Sequence, residues 1–550
     1  MMTSDALAAG FLSELEALEK FRISYAAQYP GVPLSHDDPD IRRLIEAMAF
    51  FTARTRVASM RSLDESIQRI FRQHFPSLLG PTPAMAMLRA TPSSQFADAS
   101  EIPRGTEVLL KRPADELGDP ECVYRFRTLA ALRILPIRVM SVDTLSRPDG
   151  GFRFMIRIAA NSAHNRELDS LALYINHLDD LRSSMTVAHE LRTHLKSASV
   201  FYEAKPREDA LGQPCRVSVG PAPEAEGEEP DPFQDPLQRA RMRLRFPQAD
   251  LFLQIGGLRP PRNWQHITLC LELADSWPRK LRLTSDTFEL HTVPMLNVRR
   301  DFANPIGCDG TKDRYPLRHP DDAAGFAPLW VIGAYRPTKQ GFTPLVPGVV
   351  GTDGDSYEVT TEGSGENRRA WAMLHIRNAY LNPELISVDA FWHQPSLRGV
   401  NVAELKVGLG DRFVDGVAWS CAGTIVKYAD SPIDGDREAQ LQLVSLKTQR
   451  FLGIAELRAL LDACGARLEP HFRKVVDVLS EVKITDKPLG KLNGLKYVYE
   501  LTFGLLEPSD LPRLAQFCVW LLEVLSTWSE EEVLEIVAEV PNLDRRERFV

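Results

Sequence analysis

The stretch RFPQADLFLQIGGL (Arg245–Leu258), followed by HITLCLEL (His266–Leu273) and FELHTVPMLNVRRDFANPI (Phe288–Ile306), decides the fold class. Apolar residues alternate at Ile267, Leu269, Leu271 and Leu273, and crowd together at Leu251, Phe252, Leu253 and Ile255. A period of two and short apolar runs mark strands of a packed sheet. Gly256-Gly257 and Pro260-Pro261 punctuate them as turns. Pro294 and the Asn304-Pro305 step predict an ordered, non-helical exit from the sheet. No nucleophile stands beside a base in this stretch, and it reads as framework.

On the N-terminal side the period changes to that of helices. Phe11, Leu15, Leu18 and Tyr25 fall on one stripe at steps of three and four, interrupted by Arg22. Asp38 can cap a second helix with Pro39 at its first position, and Ile41, Leu44, Met48 and Phe51 repeat the stripe. Ser62-Leu-Asp-Glu65 has the capping-box pattern and predicts a third helix, ended by Pro76, Pro81 and Pro83. Stripes this narrow suit a helix seam, within the chain or between chains. The eight residues Phe11, Leu15, Leu18, Tyr25, Ile41, Leu44, Met48 and Phe51 are therefore the candidate partner interface.

From Ala84 onward strands dominate: Ile102–Leu110, Tyr124–Val139, Phe152–Ala159 and Leu168–Ile175, with a short helix expected within 175–195. Residues 220–238, GPAPEAEGEEPDPFQDPLQ, carry four Glu, three Pro and two Gly in their first eleven positions. That composition cannot bury a core and reads as an exposed insertion. Strands resume near Leu329–Gly333, Tyr357–Thr360, Ala370–Ile376 and Glu384–His393. In the tail, a strand-like run from Leu441 enters a helix through Ile454, Leu457, Leu460 and Leu461. Strands at Val475–Leu479 and Lys491–Phe503 flank an Asn493-Gly494 turn, and a helix follows Ser509 or Asp510. The fold class is thus multidomain α+β. It comprises a helical segment (1–80), a β-rich domain with the acidic insertion (81–240), a β-rich central region (241–440) and a small C-terminal α+β domain (441–550).

Composition sets bounds on function. The chain has 550 residues, too many for one hydrophobic core. Its 65 basic and 74 acidic residues give a net charge of −9, which argues against a nucleic-acid partner. No apolar run reaches the roughly 18 residues of a membrane span, and the N-terminus lacks a basic region with a cleavage site. Seven dispersed cysteines without a C-x-x-C pair suit reduced thiols, as in the cytosol.

Catalytic motifs fail one by one. His189 and His194 are five apart where a zincin helix needs four, about 140° around the helix, so the two do not face one metal. Asp353-Gly-Asp355-Ser-Tyr357-Glu358 lacks the sixth-position glycine of a calcium loop. There is no Walker A sequence and no G-x-S-x-G, and Gly408-Leu-Gly410 lacks a third glycine. No local Ser/His/Asp grouping stands out, and the eight tryptophans suit core packing or an interface better than a sugar groove. The sequence calls for no metal, cofactor or catalytic residue.

Phe246, Pro247, Leu251, Phe252, Gly257 and Leu258, then His291, Pro294 and Asn297, then Asn304, Pro305 and Ile306, occur in an order and spacing that resembles the TssF family. Ala49–Leu88, the pair Pro103-x-Gly105-Thr106 and Phe126-x-Thr128, and Leu441–Cys464 add further fragments of similarity. The resemblance implies a cytoplasmic, non-enzymatic baseplate wedge subunit of the bacterial type VI secretion system, assembled beneath the inner-membrane complex. It also implies the partners: one TssG bound by two TssF copies, with TssK, TssE and the VgrG hub further along the assembly. The rival readings are a baseplate subunit of a related phage-like injection particle and a β-rich carbohydrate-active enzyme, the latter requiring paired carboxylates in a groove.

Overall fold

The chain opens with two long helices, and the strands that follow are interspersed with shorter helices. The computed structural model describes residues 2–29, 31, 38–113, 122–147, 151–161, 168–203, 206, 212–221, 235–348, 354–363, 365–397, 402–488, 495–529 and 534–549. Most of the acidic insertion (222–234), the Asn493-Gly494 turn and Asp353 lie outside the described residues. The α-helices among the described residues are α1 (Met2–Gln28), α2 (Pro39–His74), α3 (Leu181–His194), α4 (Pro236–Arg245), α5 (Arg437–Leu446), α6 (Ile454–Cys464), α7 (Arg473–Asp477) and α8 (Leu511–Ser529). The chain divides into two units: Met1–Leu79 with Gly435–Gln449, and Gly80–Asp434 with Arg450–Val550.

In the first unit, α2 begins as the sequence predicts. The Asp38 carboxylate accepts from the Asp40 N–H and Pro39 opens the helix. It then runs unbroken to His74, so Ser62 does not start a third helix. Nothing between Pro39 and His74 interrupts the i→i−4 ladder. Ser66 Oγ instead donates back to the Ser62 carbonyl at 2.8 Å, and Glu65 pairs with Arg61 one turn earlier. The Leu441 run is likewise helical rather than extended. Asp436 caps α5 by accepting from the Ala439 N–H, and Arg437 of α5 ion-pairs with Asp64 of α2.

In the second unit, the segment from Arg245 to Ile306 supplies strands to four different sheets. Phe252–Gly256 lies inside a four-stranded sheet between Arg216–Gly220 and Ser170–Ile175. His266–Leu273 is the middle of a five-stranded sheet, between Phe152–Ala160 and Leu195–Tyr202. It is covered on both faces, so Thr268 and Cys270 are buried along with the alternating leucines. Thr292–Leu296 sits in a six-stranded sheet beside Met85–Pro92 and Cys122–Thr128. Arg299–Phe302 and Ile306–Cys308 both pair with Glu384–His393.

The residues that carry the family pattern hold these sheets in register. Gly105 has φ +79, and its N–H donates to the Thr128 carbonyl at 2.9 Å, closing the expected strand-turn element. Buried Asn297 and Gln394 form a two-way lock. Asn297 Nδ2 donates to the Arg125 carbonyl at 2.8 Å, Gln394 N donates to Asn297 Oδ1 at 2.8 Å, and Gln394 Nε2 reaches the Val123 and Ala324 carbonyls, both at 2.9 Å. Asn297→Ala leaves buried donors and acceptors unmatched and is expected to cost about 2–4 kcal/mol. Chemical denaturation measures this as a lower midpoint with an unchanged slope.

His291 is buried at φ 54, and its Nε2 accepts from the Leu135 N–H at 3.1 Å. Burial pushes its imidazole down to about 4. The unfolded chain takes the proton first, at roughly pH 6.5. The stability from neutral His291 is therefore complete above that pH and is lost as pH falls toward 4, at about 1.4 kcal/mol per pH unit. His291→Asn tolerates the backbone angle, so its stability between pH 6.5 and 4 should fall less steeply than that of the wild type.

A C-terminal sheet of Leu479–Pro488, Leu495–Phe503, Leu534–Val540 and Arg545–Phe549 completes the unit, its central pair parallel. Val475 belongs to α7 rather than a strand, which begins only at Leu479. The long helix α8 buries Leu514, Phe517, Cys518, Leu521 and Leu525.

Candidate partner interface

The predicted interface residues fall on two different faces of the helical unit. On α1, Phe11, Leu15, Leu18 and Tyr25 are half-buried. They share the side of the helix that carries Gly10, where an added Cβ would lie 3.6 Å from Ala53 of α2, and Glu14, which ion-pairs with Arg56 of α2 at 3.0 Å. This stripe faces the chain's own hairpin. On α2, Ile41 is half-buried, while Leu44, Met48 and Phe51 are 61%, 49% and 64% exposed.

The seam that α2 offers to the hairpin is marked by the fully buried Ala49 and Ala53. At 3.6 residues per turn, their mean direction lies about 150° from that of Leu44, Met48 and Phe51. Gly10 and Ala53 let the two backbones approach closely, which is why small residues occupy the contact. The large ones point away. About half of the exposed large apolar side chains among the described residues fall in this unit, including Leu12, Phe21, Ile23, Met60, Leu63 and Ile70. The unit holds about a sixth of the chain. Such concentration of apolar surface marks an interaction site in a soluble protein. The Leu44–Phe51 face continues into a shallow groove formed by Phe51, Arg54, Thr55, Ala58, Ser59 and Ser62.

One serine–histidine–carboxylate relay does assemble, although sequence spacing gave no sign of it. Ser276 Oγ lies 3.1 Å from His194 Nδ1, and His194 Nε2 lies 2.9 Å from Glu190 Oε2. The same corner is fixed by the Ala274 N–H, which donates to the His194 carbonyl at 2.9 Å. The relay thus closes the C-terminal turn of α3 onto the 274–277 turn, an anchoring role. His189, the other histidine of that motif, is buried, and burial lowers its imidazole to about 4.

Buried charge instead ties helices together. Asp250 is buried, accepts from Arg243 Nε of α4 at 2.9 Å and from Gln516 Nε2 of α8 at 2.9 Å, and Arg243 also reaches Glu523 of α8. Among the described residues no helix is long and apolar enough to cross a membrane.

A family model described as "Type VI secretion system, TssF" matches residues 3–328. The type VI secretion system component TssF1 of Pseudomonas aeruginosa is 22% identical over a stretch covering 30% of this chain and 30% of that protein. The match therefore spans less than a third of that curated relative. One solved structure, of a type VI secretion TssK-TssF-TssG baseplate subcomplex, superposes with a TM-score of 0.75 at 18% identity, covering 93% of this chain and 98% of its own. A second, of the baseplate complex from the type VI secretion system, gives 0.59 at 17% identity, covering 97% and 96%. At such identities the superpositions establish a shared fold. The family match reaches across both the helical hairpin and the strands of Arg245–Ile306, and on that match the chain belongs to the TssF family of the type VI secretion system.

Proposed function

We propose that this chain is a non-enzymatic scaffold subunit of the type VI secretion baseplate, assembling through its N-terminal helical hairpin. The observation that carries this reading is the uncovered stripe Leu44–Met48–Phe51 on a hairpin whose own seam is already filled. A stripe of this width takes another helix as its complement. By analogy with the TssK-TssF-TssG subcomplex, the helix comes from TssG or from a second copy of this chain, in a wedge of two such copies per TssG. TssK then attaches to the wedge, and TssE and the VgrG hub join as the baseplate closes on the cytoplasmic side of the inner membrane. The test is affinity purification of the full chain from its native host, with identification of the bound subunits. Recovery of TssG and TssK is the expected result; a pull-down without either would refute the reading.

A further inference from the structure

The uncovered face of α2 changes character halfway along. Its first half carries the large, exposed Leu44, Met48 and Phe51. Its second half carries Thr55, Ala58, Ser59 and Ser62, all exposed and all small. Those four stand at positions i, i+3, i+4 and i+7, neighbours on one helix face that together form the hole for an inserted side chain. Phe51 and Arg54 close the same groove at its N-terminal end. A hole walled by Thr, Ala and two Ser accepts a large side chain, whereas the Leu44–Phe51 half leaves room for small ones. The complementary helix therefore has the opposite order, small residues against Leu44–Phe51 and a large apolar one against Thr55–Ser62.

One flank of this face is basic. Arg43 and Arg54 stand three turns apart, within roughly 20° of each other around the helix, on the same edge of the stripe. Arg43 pairs with Asp40 at 3.7 Å. Arg54 is exposed and makes no hydrogen bond or ion pair among the described residues, which leaves it as the charge to be met. A second copy of this chain does not meet it. Laid antiparallel, with the large half of each α2 over the small half of the other, the two helices cross near Arg54 and set Arg54 beside Arg54. The other carboxylate near that edge, Glu65, already pairs with Arg61 of its own helix at 3.1 Å. Laid parallel, α2 offers its opposite flank, Ile45, Thr52, Arg56 and Leu63, which holds no acid. On α1, Glu16 and Glu19 are taken by Lys20 and Arg22 at 2.6 and 2.9 Å.

Resting on the reading that assembly runs through this hairpin, we infer that the helix seated on α2 belongs to an unlike subunit. It presents a large apolar side chain to the Thr55–Ser62 hole and, about one turn away, an Asp or Glu to Arg54. The like-charge contact at Arg54 keeps a second copy out of the same seat, so one charge sets both the register and the choice of partner.

Association of the full chain with purified TssG, the candidate unlike subunit, followed by surface plasmon resonance, tests it. Arg54→Glu should slow association about fivefold or more at low ionic strength, and the difference should shrink at about 0.5 M salt. Arg54→Lys, which keeps the charge, should stay within about twofold of the wild type. Ser59→Trp fills the hole and should weaken binding about tenfold or more, while melting temperatures confirm that each variant is folded. Among TssG variants with single Asp or Glu residues changed to Arg, one should restore binding to Arg54→Glu; restoration by none would overturn the ion pair. Binding lost on Leu44→Glu with Met48→Glu and Phe51→Glu, yet indifferent to Arg54→Glu and Ser59→Trp, would overturn the inference and leave the hairpin reading standing. Self-association of the chain alone, seen by analytical ultracentrifugation and abolished by Ser59→Trp, would overturn it by seating a second copy there. Failure of the wild type to bind TssG would remove the hairpin reading and the inference together.

Discussion

Replacing Leu44, Met48 and Phe51 together by Glu should abolish association with the partner helix while leaving the chain folded. Each side chain contributes about 1.5–3 kcal/mol when fully buried, so even partial cover of the three predicts at least a hundredfold loss of affinity. In the isolated chain the same positions are exposed, and Glu keeps a helix propensity close to that of Leu and Met. Circular dichroism and the melting temperature should therefore change little. Leu15→Asp with Leu18→Asp should behave differently. Those residues sit on the half-buried side of α1 that faces α2, so the charges should melt the hairpin and remove partner binding only as a consequence. Size-exclusion and circular dichroism on both variants separate the two outcomes. Normal association of the triple variant would end the interface assignment.

Asp250→Ala should destabilise the second unit by about 3–5 kcal/mol, the cost of removing one partner from a buried ion pair. The carboxylate joins α4 to α8 through Arg243 and Gln516, and without it Arg243 retains Glu523 but loses its buried neighbour. Burial raises the Asp250 pKa, and nearby Arg243 and Arg192 oppose that shift. Asp250→Asn keeps the shape and an acceptor for Gln516, and is expected to cost less than Ala. Urea denaturation of the three proteins measures the order wild type, Asn, Ala; equal midpoints would show that the network contributes nothing.

The strands between Arg245 and Ile306 were legible because alternation, Gly-Gly and Asn-Pro steps are local signals. Their distribution over four sheets was not, since pairing partners such as Ser170–Ile175 and Glu384–His393 lie far away in sequence. The capping box at Ser62 misled because the same residues find other partners inside a continuous helix, Glu65 with Arg61 and the Ser62 carbonyl with Ser66. The hairpin seam was hidden for another reason. Ala49 and Ala53 are nearly silent in a hydrophobic pattern, so the eye follows the louder Leu44, Met48 and Phe51, which face away from α1. The four-residue spacing of two alanines, opposite a glycine on the preceding helix, was the available clue. The bracing of α2 by α5 could not be read at all, because Asp64 and Arg437 are separated by most of the chain.

Hydrogen exchange on the chain alone and in its reconstituted complex with TssG tests the scaffold account most directly. Exposed helix faces that become covered slow the exchange of the amides beneath them. The account predicts new protection centred on residues 41–62 of α2, with the strands of Arg245–Ile306 unchanged. Protection confined to the β-rich unit, with α2 exchanging as it does in the isolated chain, would contradict it.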